Sequence, residues 1–199
     1  MSISNYAELQ TAVSNWLKRS DLSSYTPDLI LLGEKWIFRH ARTREMESAL
    51  SVTISSGVAA VPSDFIALKH ARVSGTPATP LEIRPASWIY AAYPNRGEGA
   101  LPQFIGVDGS SFIFGPAPGS YSVLGTYYAS LTSIQSSANA LFTACPDLYL
   151  FSALCEAEPF LKNDARVALW TAKRDSTLMD INNQTKESRQ GDAMAVRLG

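Results

Sequence analysis

Two histidines, two cysteines and a handful of acids are the groups in this 199-residue chain that could do covalent or metal chemistry. Their spacing argues against it. His40 stands among arginines in a segment of helical period, and His70 follows Lys69 in a segment that reads as a strand. Neither has a Cys or His at ligand spacing, so no metal site is expected. Glu156 and Glu158 are two apart, on different faces of a helix, and cannot act as a positioned pair. Asp64, in Pro62-Ser-Asp-Phe65, reads as a turn or cap acid rather than a general base. The glycines form no phosphate cradle, and no Gly-x-Ser-x-Gly occurs. Cys145 and Cys155 lie ten residues apart, about 15 Å along one helix at its usual rise, too far to bridge there. The expectation is no catalytic, cofactor-binding or metal-binding residue, no cofactor, and no enzyme.

Charge is the remaining chemistry. Lys35, Arg39, Arg42 and Arg44 face Glu34, Glu45 and Glu47 along one segment. Two readings stand: an ion-paired, solvated helix face, or contacts lining a passage for double-stranded DNA. Such contacts would be loose and non-specific, because nothing nearby reads base edges. A net charge of −1 and a pI near 6.1 provide no global basic field for nucleic acid. Charged residues are 18% of the chain, below the roughly 25% usual for soluble domains. That shortage points to surface hidden in an oligomer or a partner. No apolar run approaches the roughly 18 residues needed to span a bilayer, so no membrane partner is expected. The first residues lack the charged and apolar regions of an export signal, so the Asn183-Gln-Thr185 sequon carries no weight and a reducing cytoplasm is the expected compartment.

The periodicities that must position these residues come in three blocks. A helix is predicted over 6–18, capped by Ser4 or Asn5, with Tyr6, Leu9, Val13, Trp16 and Leu17 on one stripe. Thr26-Pro27-Asp28 supplies a capping hydroxyl, a first-turn proline and an acid for a second helix reaching about residue 44. Leu29, Ile30, Gly33, Ile37 and Ala41 form its apolar face, which Leu32 and Trp36 widen. From Leu50 the period drops to two. Strands are predicted from Leu50, over 58–61, 66–74 and 81–83, as a hairpin of 104–107 and 111–114 around Asp108-Gly109, and over 121–128. A short helix is expected over 85–93. Cys145-Pro-Asp-Leu-Tyr-Leu-Phe151 then opens a helix whose apolar face (Leu148, Leu150, Phe151, Leu154, Cys155) is too wide for one lying on a surface. Pro159 should end it, with Lys162 in the last turn and Asp164 as the next cap. A last helix over 165–189 carries Val167, Trp170, Arg174, Leu178 and Ile181; beyond Ile181 it should project or fray. In the tail, 191–199, Met194, Val196 and Leu198 alternate with small or charged residues. That pattern fits a strand added to another chain's sheet and equally a loose terminus.

The order of these motifs resembles the head-to-tail adaptor family of tailed bacteriophages, including the tail tubular protein A adaptors of short-tailed phages. The segments that carry the likeness begin with Tyr6-Ala-Glu-Leu-Gln-Thr-Ala-Val-Ser-Asn-Trp-Leu-Lys-Arg-Ser-Asp-Leu22 and Pro27-Asp-Leu-Ile30, leading through Glu34 and Ile37 to Arg42-Thr-Arg-Glu-Met46. Val61-Pro-Ser-Asp-Phe65, Pro102-Gln-Phe-Ile-Gly106, the 112–116 strand, Tyr127-Tyr128, Asn139 and the Pro146 helix follow in order. Gly33 stands where a small helix former such as Ala is usual.

The resemblance implies an α+β fold: a bundle of about four α-helices (1–48 and 139–190) with an inserted antiparallel β-domain (49–138) and a C-terminal tail (191–199). It implies a structural virion protein made in the host bacterial cytoplasm and placed at the neck. There it would form a ring, typically twelve-fold, beneath the portal, closing the DNA-filled head and docking the next neck or tail component. Implied partners are the portal, the downstream protein, other copies of the chain, and transiently the passing double-stranded DNA, with Met194, Val196 and Leu198 expected to dock on the portal. A stopper or tail-completion protein is the alternative, followed by a nucleic-acid-binding helical module.

Overall fold

The computed structural model describes residues 3–18, 21–94, 100–117, 119–157 and 166–190. The expectations for Pro159, Lys162, Asp164 and the tail residues Met194, Val196 and Leu198 lie outside the described residues. In chain order the elements are α1 (Tyr6–Leu17), α2 (Thr26–His40), a 3-10 turn (Arg44–Met46), β1 (Glu47–Thr53), β2 (Val58–Ala60), β3 (Phe65–Val73), β4 (Thr79–Ile83), α3 (Ala86–Ala92), β5 (Phe104–Asp108), β6 (Ser111–Gly115), β7 (Ser122–Ala129), α4 (Ala140–Ala144), α5 (Pro146–Glu156) and α6 (Arg166–Gln190). The chain divides into two compact units, one of Met1–Met46 with Leu131–Gly199, the other Glu47–Ser130.

In the first unit α5 is the central element. Pro146 starts it where a missing N–H costs nothing, and Asp147 sits in its first turn. Every residue from 148 to 154 is buried, so the helix is enclosed all round, as its wide apolar face predicts. Its closest neighbour is α2, which buries Leu29, Ile30, Gly33, Glu34 and Ile37. The two backbones meet at Gly33, where an added Cβ would lie 2.8 Å from both the Ala153 nitrogen and the Ser152 carbonyl carbon. Glycine is there because a side chain would push the helices apart.

Local signals mislead at three places in this unit. Thr26 does not cap α2: its hydroxyl donates back to the Leu22 carbonyl at 3.2 Å, and the N-cap position is Tyr25, whose side chain does not cap the helix. The helix stops at His40, because Ala41 turns extended, and only Arg44–Met46 turn again, as the 3-10 turn. Nor does α6 project directly after Ile181: it stays packed as far as Thr185. Asn182 accepts the Arg42 N–H at 3.3 Å and Thr185 is buried. Those contacts are polar, and apolar periodicity is blind to them.

The second unit is a curled seven-stranded sheet of order β1-β7-β3-β4-β5-β6-β2. Leu50, Ile54, Val73, Ile105, Phe112, Phe114 and Val123 form its core. The hairpin of β5 and β6 pairs Asp108 with Ser111 across Gly109, at φ +57°. β4 and β5 run parallel, Glu82 beside Phe104 and Ile83 beside Ile105, because the connection between them contains α3. That helix lies directly on the sheet at Gly106, where a Cβ would collide with the Arg84 carbonyl and approach Ile89.

The expected bundle of about four helices with an inserted antiparallel β-domain is therefore corrected to six α-helices among the described residues and a large mixed sheet. The short helix expected over 85–93 is α3, which lies on the sheet; α4, at five residues, is too short to display a helical period, and a parallel pair has no turn signature between its strands.

Gly33→Ala should lower stability. Overpacking against the α5 backbone costs about 1–3 kcal/mol, outweighing the propensity gain of at most about 1 kcal/mol. Chemical denaturation checks this; a more stable variant would show that the helices are free to separate.

Candidate functional site

None of the residues able to do chemistry converges on a reaction centre. His40 ends α2 and stacks on Trp36 with ring centroids 4.2 Å apart. Its Nδ1 lies 2.8 Å from the Trp36 carbonyl, which can only accept, so Nδ1 carries the proton. His70 is exposed on β3. Both cysteines are free and partly buried. Burial pushes both thiols above their ordinary range, reinforced for Cys145 by Asp147 and Glu45 and opposed for Cys155 by a bond to Thr171. Thiols held protonated in this way are poor nucleophiles and poor metal ligands. Among the described residues no group of three His, Cys, Asp or Glu could hold a metal ion.

Asp64 is a pin. The Tyr127 hydroxyl donates to its Oδ1 at 2.9 Å, and its carbonyl accepts the Ser130 N–H at 2.6 Å. Tyr127 also stacks on Phe65 at 5.8 Å. Two segments singled out in the sequence, 61–65 and 127–128, thus meet to close one end of the β3–β7 pair.

The four cations are not one set. The Arg42 guanidinium donates to the carbonyls of Phe38 and Ala41, completing the C-terminus of α2. Arg44 lines a cavity of about 270 Å³ with Glu45, Cys145, Ile181 and Thr185. Lys35 and Arg39 are exposed on α2, one helical turn apart. A second, more open groove of about 580 Å³ lies between α2 and α6, with Met179 and Lys186 on its walls. At its base the Arg174 guanidinium sits 3.7 Å over the Trp36 ring and is itself bonded to Asp175.

Sequence reasoning missed two exposed apolar faces. Leu32 does not widen the buried face of α2; it is 51% exposed, and Leu31 beside it 42%. On α3 only Ile89 is buried, while Trp88 and Tyr90 flank it and are each 40% exposed. Trp88 leans on Phe104 at 4.8 Å under the Arg84 guanidinium, and the Tyr90 hydroxyl donates to Asp108 Oδ2 at 2.9 Å. A wheel drawn for α3 alone would have shown Trp88 and Tyr90 on either side of the one buried position.

One buried charged group is held by backbone and side-chain donors around it: Glu34, 2% exposed on α2 beside Gly33. Its carboxylate accepts the Ile134 N–H at 2.9 Å and the Ser133 hydroxyl at 2.7 Å. Asn139 continues the network. It caps α4 through the Phe142 N–H, accepts the Tyr149 hydroxyl at 3.1 Å and donates to the Thr132 carbonyl. Burial raises Tyr149 well above the ordinary tyrosine range, so it remains a neutral donor at any physiological pH.

Such an arrangement, with polar groups locking segments in place and apolar side chains left on outward faces, is that of a structural protein acting through its surfaces. A family model described as SU10 adaptor protein matches residues 4–197. The chain belongs to the SU10 adaptor protein family, and its role is that of a structural adaptor in a bacteriophage neck. No curated protein matches the chain. No helix among the described residues is long and apolar enough to cross a membrane.

Glu34→Leu should cost about 1–3 kcal/mol by leaving the buried Ile134 N–H without an acceptor, whereas Glu34→Gln should cost less because an amide oxygen remains. Equal unfolding midpoints for the two variants would show that the clamp is not formed.

Proposed function

We propose that the protein assembles as a closed ring beneath the portal, seals the filled head and presents a docking surface to the next neck or tail component. The observation that carries this reading is the family match, which spans almost the whole chain. A closed ring is a head-to-tail assembly, so each copy must carry two different, complementary faces. The low charge of the chain and its exposed aromatics fit that requirement, since interface cores are depleted in charge and rich in Trp and Tyr. The tail, 191–199, is assigned to the portal, with Met194, Val196 and Leu198 as the anchoring residues of an added strand.

Electron microscopy and native mass of the protein, alone and co-expressed with the portal of its own phage, test the reading. The expected result is a ring stacked on the portal. Monomers in both samples, with portal rings left bare, would move the protein to a component further down the neck. Removing 191–199 should abolish portal attachment without changing the thermal midpoint; a variant that no longer folds would sink the assignment of the tail.

A further inference from the structure

The exposed face of α2 is ordered in a way that the fold of its own unit does not require. Asp28, Leu32, Lys35 and Arg39 follow one another at spacings of four, three and four, and all are exposed. They therefore form a single stripe: an acid at one end, an apolar centre and two cations at the other. By the helical rise it is about 16 Å long.

The outward face of α3 has the matching order. Directly opposite the buried Ile89 lie Ser87 and Ala91, small and exposed, so a neighbouring helix can approach this crest closely. Trp88 and Tyr90 stand on either side of it. On the Trp88 side is Arg84, which also pairs with Glu82; on the Tyr90 side is Asp108. Reading across the helix gives a cation, an aromatic wall, a small crest, an aromatic wall and an acid. Trp, Tyr and Arg around a close-approach surface are the residues that dominate interface energetics.

We infer that the α2 stripe of one copy docks across α3 of the next copy in the ring. Leu32 would rest on the Ser87–Ala91 crest between Trp88 and Tyr90, Asp28 would lie toward Arg84, and Lys35 and Arg39 toward Asp108. The opposite polarity of the two faces fixes which way the neighbour lies, and each copy carries both faces, as a closed head-to-tail ring requires. The inference rests on the ring reading given above.

Two variants that alter only exposed atoms test it, Leu32→Arg on one face and Ala91→Arg on the other, each first shown to keep the wild-type thermal midpoint. Native mass and electron microscopy then follow assembly, alone or on the portal, whichever assembles the wild type. Neither variant alone should form rings. Mixed together, they retain one intact junction between them and should give a one-to-one heterodimer and nothing larger. Rings from either variant alone, or no heterodimer on mixing, would overturn the pairing. So would Lys35→Glu with Arg39→Glu, if it left rings intact and instead removed a salt-dependent affinity for double-stranded DNA. A wild type that never forms rings would instead defeat the ring reading itself.

Discussion

The close approach of α2 to α5 at Gly33 is the constraint on which the first unit depends. With no Cβ at that position, the Ser152–Ala153 backbone of α5 can come within contact of α2. Close packing there encloses α5 on every side, and each residue from 148 to 154 is withdrawn from water. Fully burying one large apolar side chain is worth about 1.5–3 kcal/mol, so a helix that buries Leu148, Leu150, Phe151 and Leu154 together is a major source of the unit's stability. One glycine makes that enclosure possible. The helix gives up some intrinsic propensity at residue 33 and recovers more from the packing it permits.

Position 34 inherits the consequence. Of the two residues flanking Gly33, Leu32 faces outward and Glu34 is buried, and a buried carboxylate must be hydrogen-bonded to be tolerated. Its acceptors are filled by Ser133 and Ile134, and Asn139 with Tyr149 holds the other end of the same segment through the Thr132 carbonyl and the α4 cap. The segment 132–139 is thereby held by polar contacts from α2 and α5. A segment with few apolar residues acquires a defined path without a core of its own. The sheet unit uses the same devices separately: Gly106 admits the backbone ahead of α3, and Asp64 with Tyr127 closes the β3–β7 pair.

Much of this was legible in residue types. Alternation located every strand to within a few residues, and proline with a following acid located α2 and α5, because those signals are local and strong. Gly33 was legible only as a departure from an expected alanine; the distances show that alanine is what the crossing excludes. The parallel β4–β5 pairing and α4 were not legible, since the first is a long-range choice and the second is a five-residue turn defined by its Asn139 cap. Asn182 and Thr185 failed the apolar pattern because they pack through hydrogen bonds and small size. Of the four cations, only the three-dimensional path separates Arg42, folded back on α2 carbonyls, from the exposed Lys35 and Arg39.

The places where pattern reasoning failed on apolar residues are instructive in a different way. Leu32 and Trp88 belong to helices whose buried faces are complete without them: α2 already buries Leu29, Ile30 and Ile37, and α3 its single Ile89. An apolar side chain left half outside a finished core adds less to the stability of its own unit than a buried one and raises the risk of aggregation. A sequence consistent at every level would place a polar residue at such a site, so a departure there reports a second requirement. In the ring proposed above, that requirement is contact with neighbours. The same proposal would account for the scarcity of charge in the composition, because surface that is water-facing in one copy would be covered by the next.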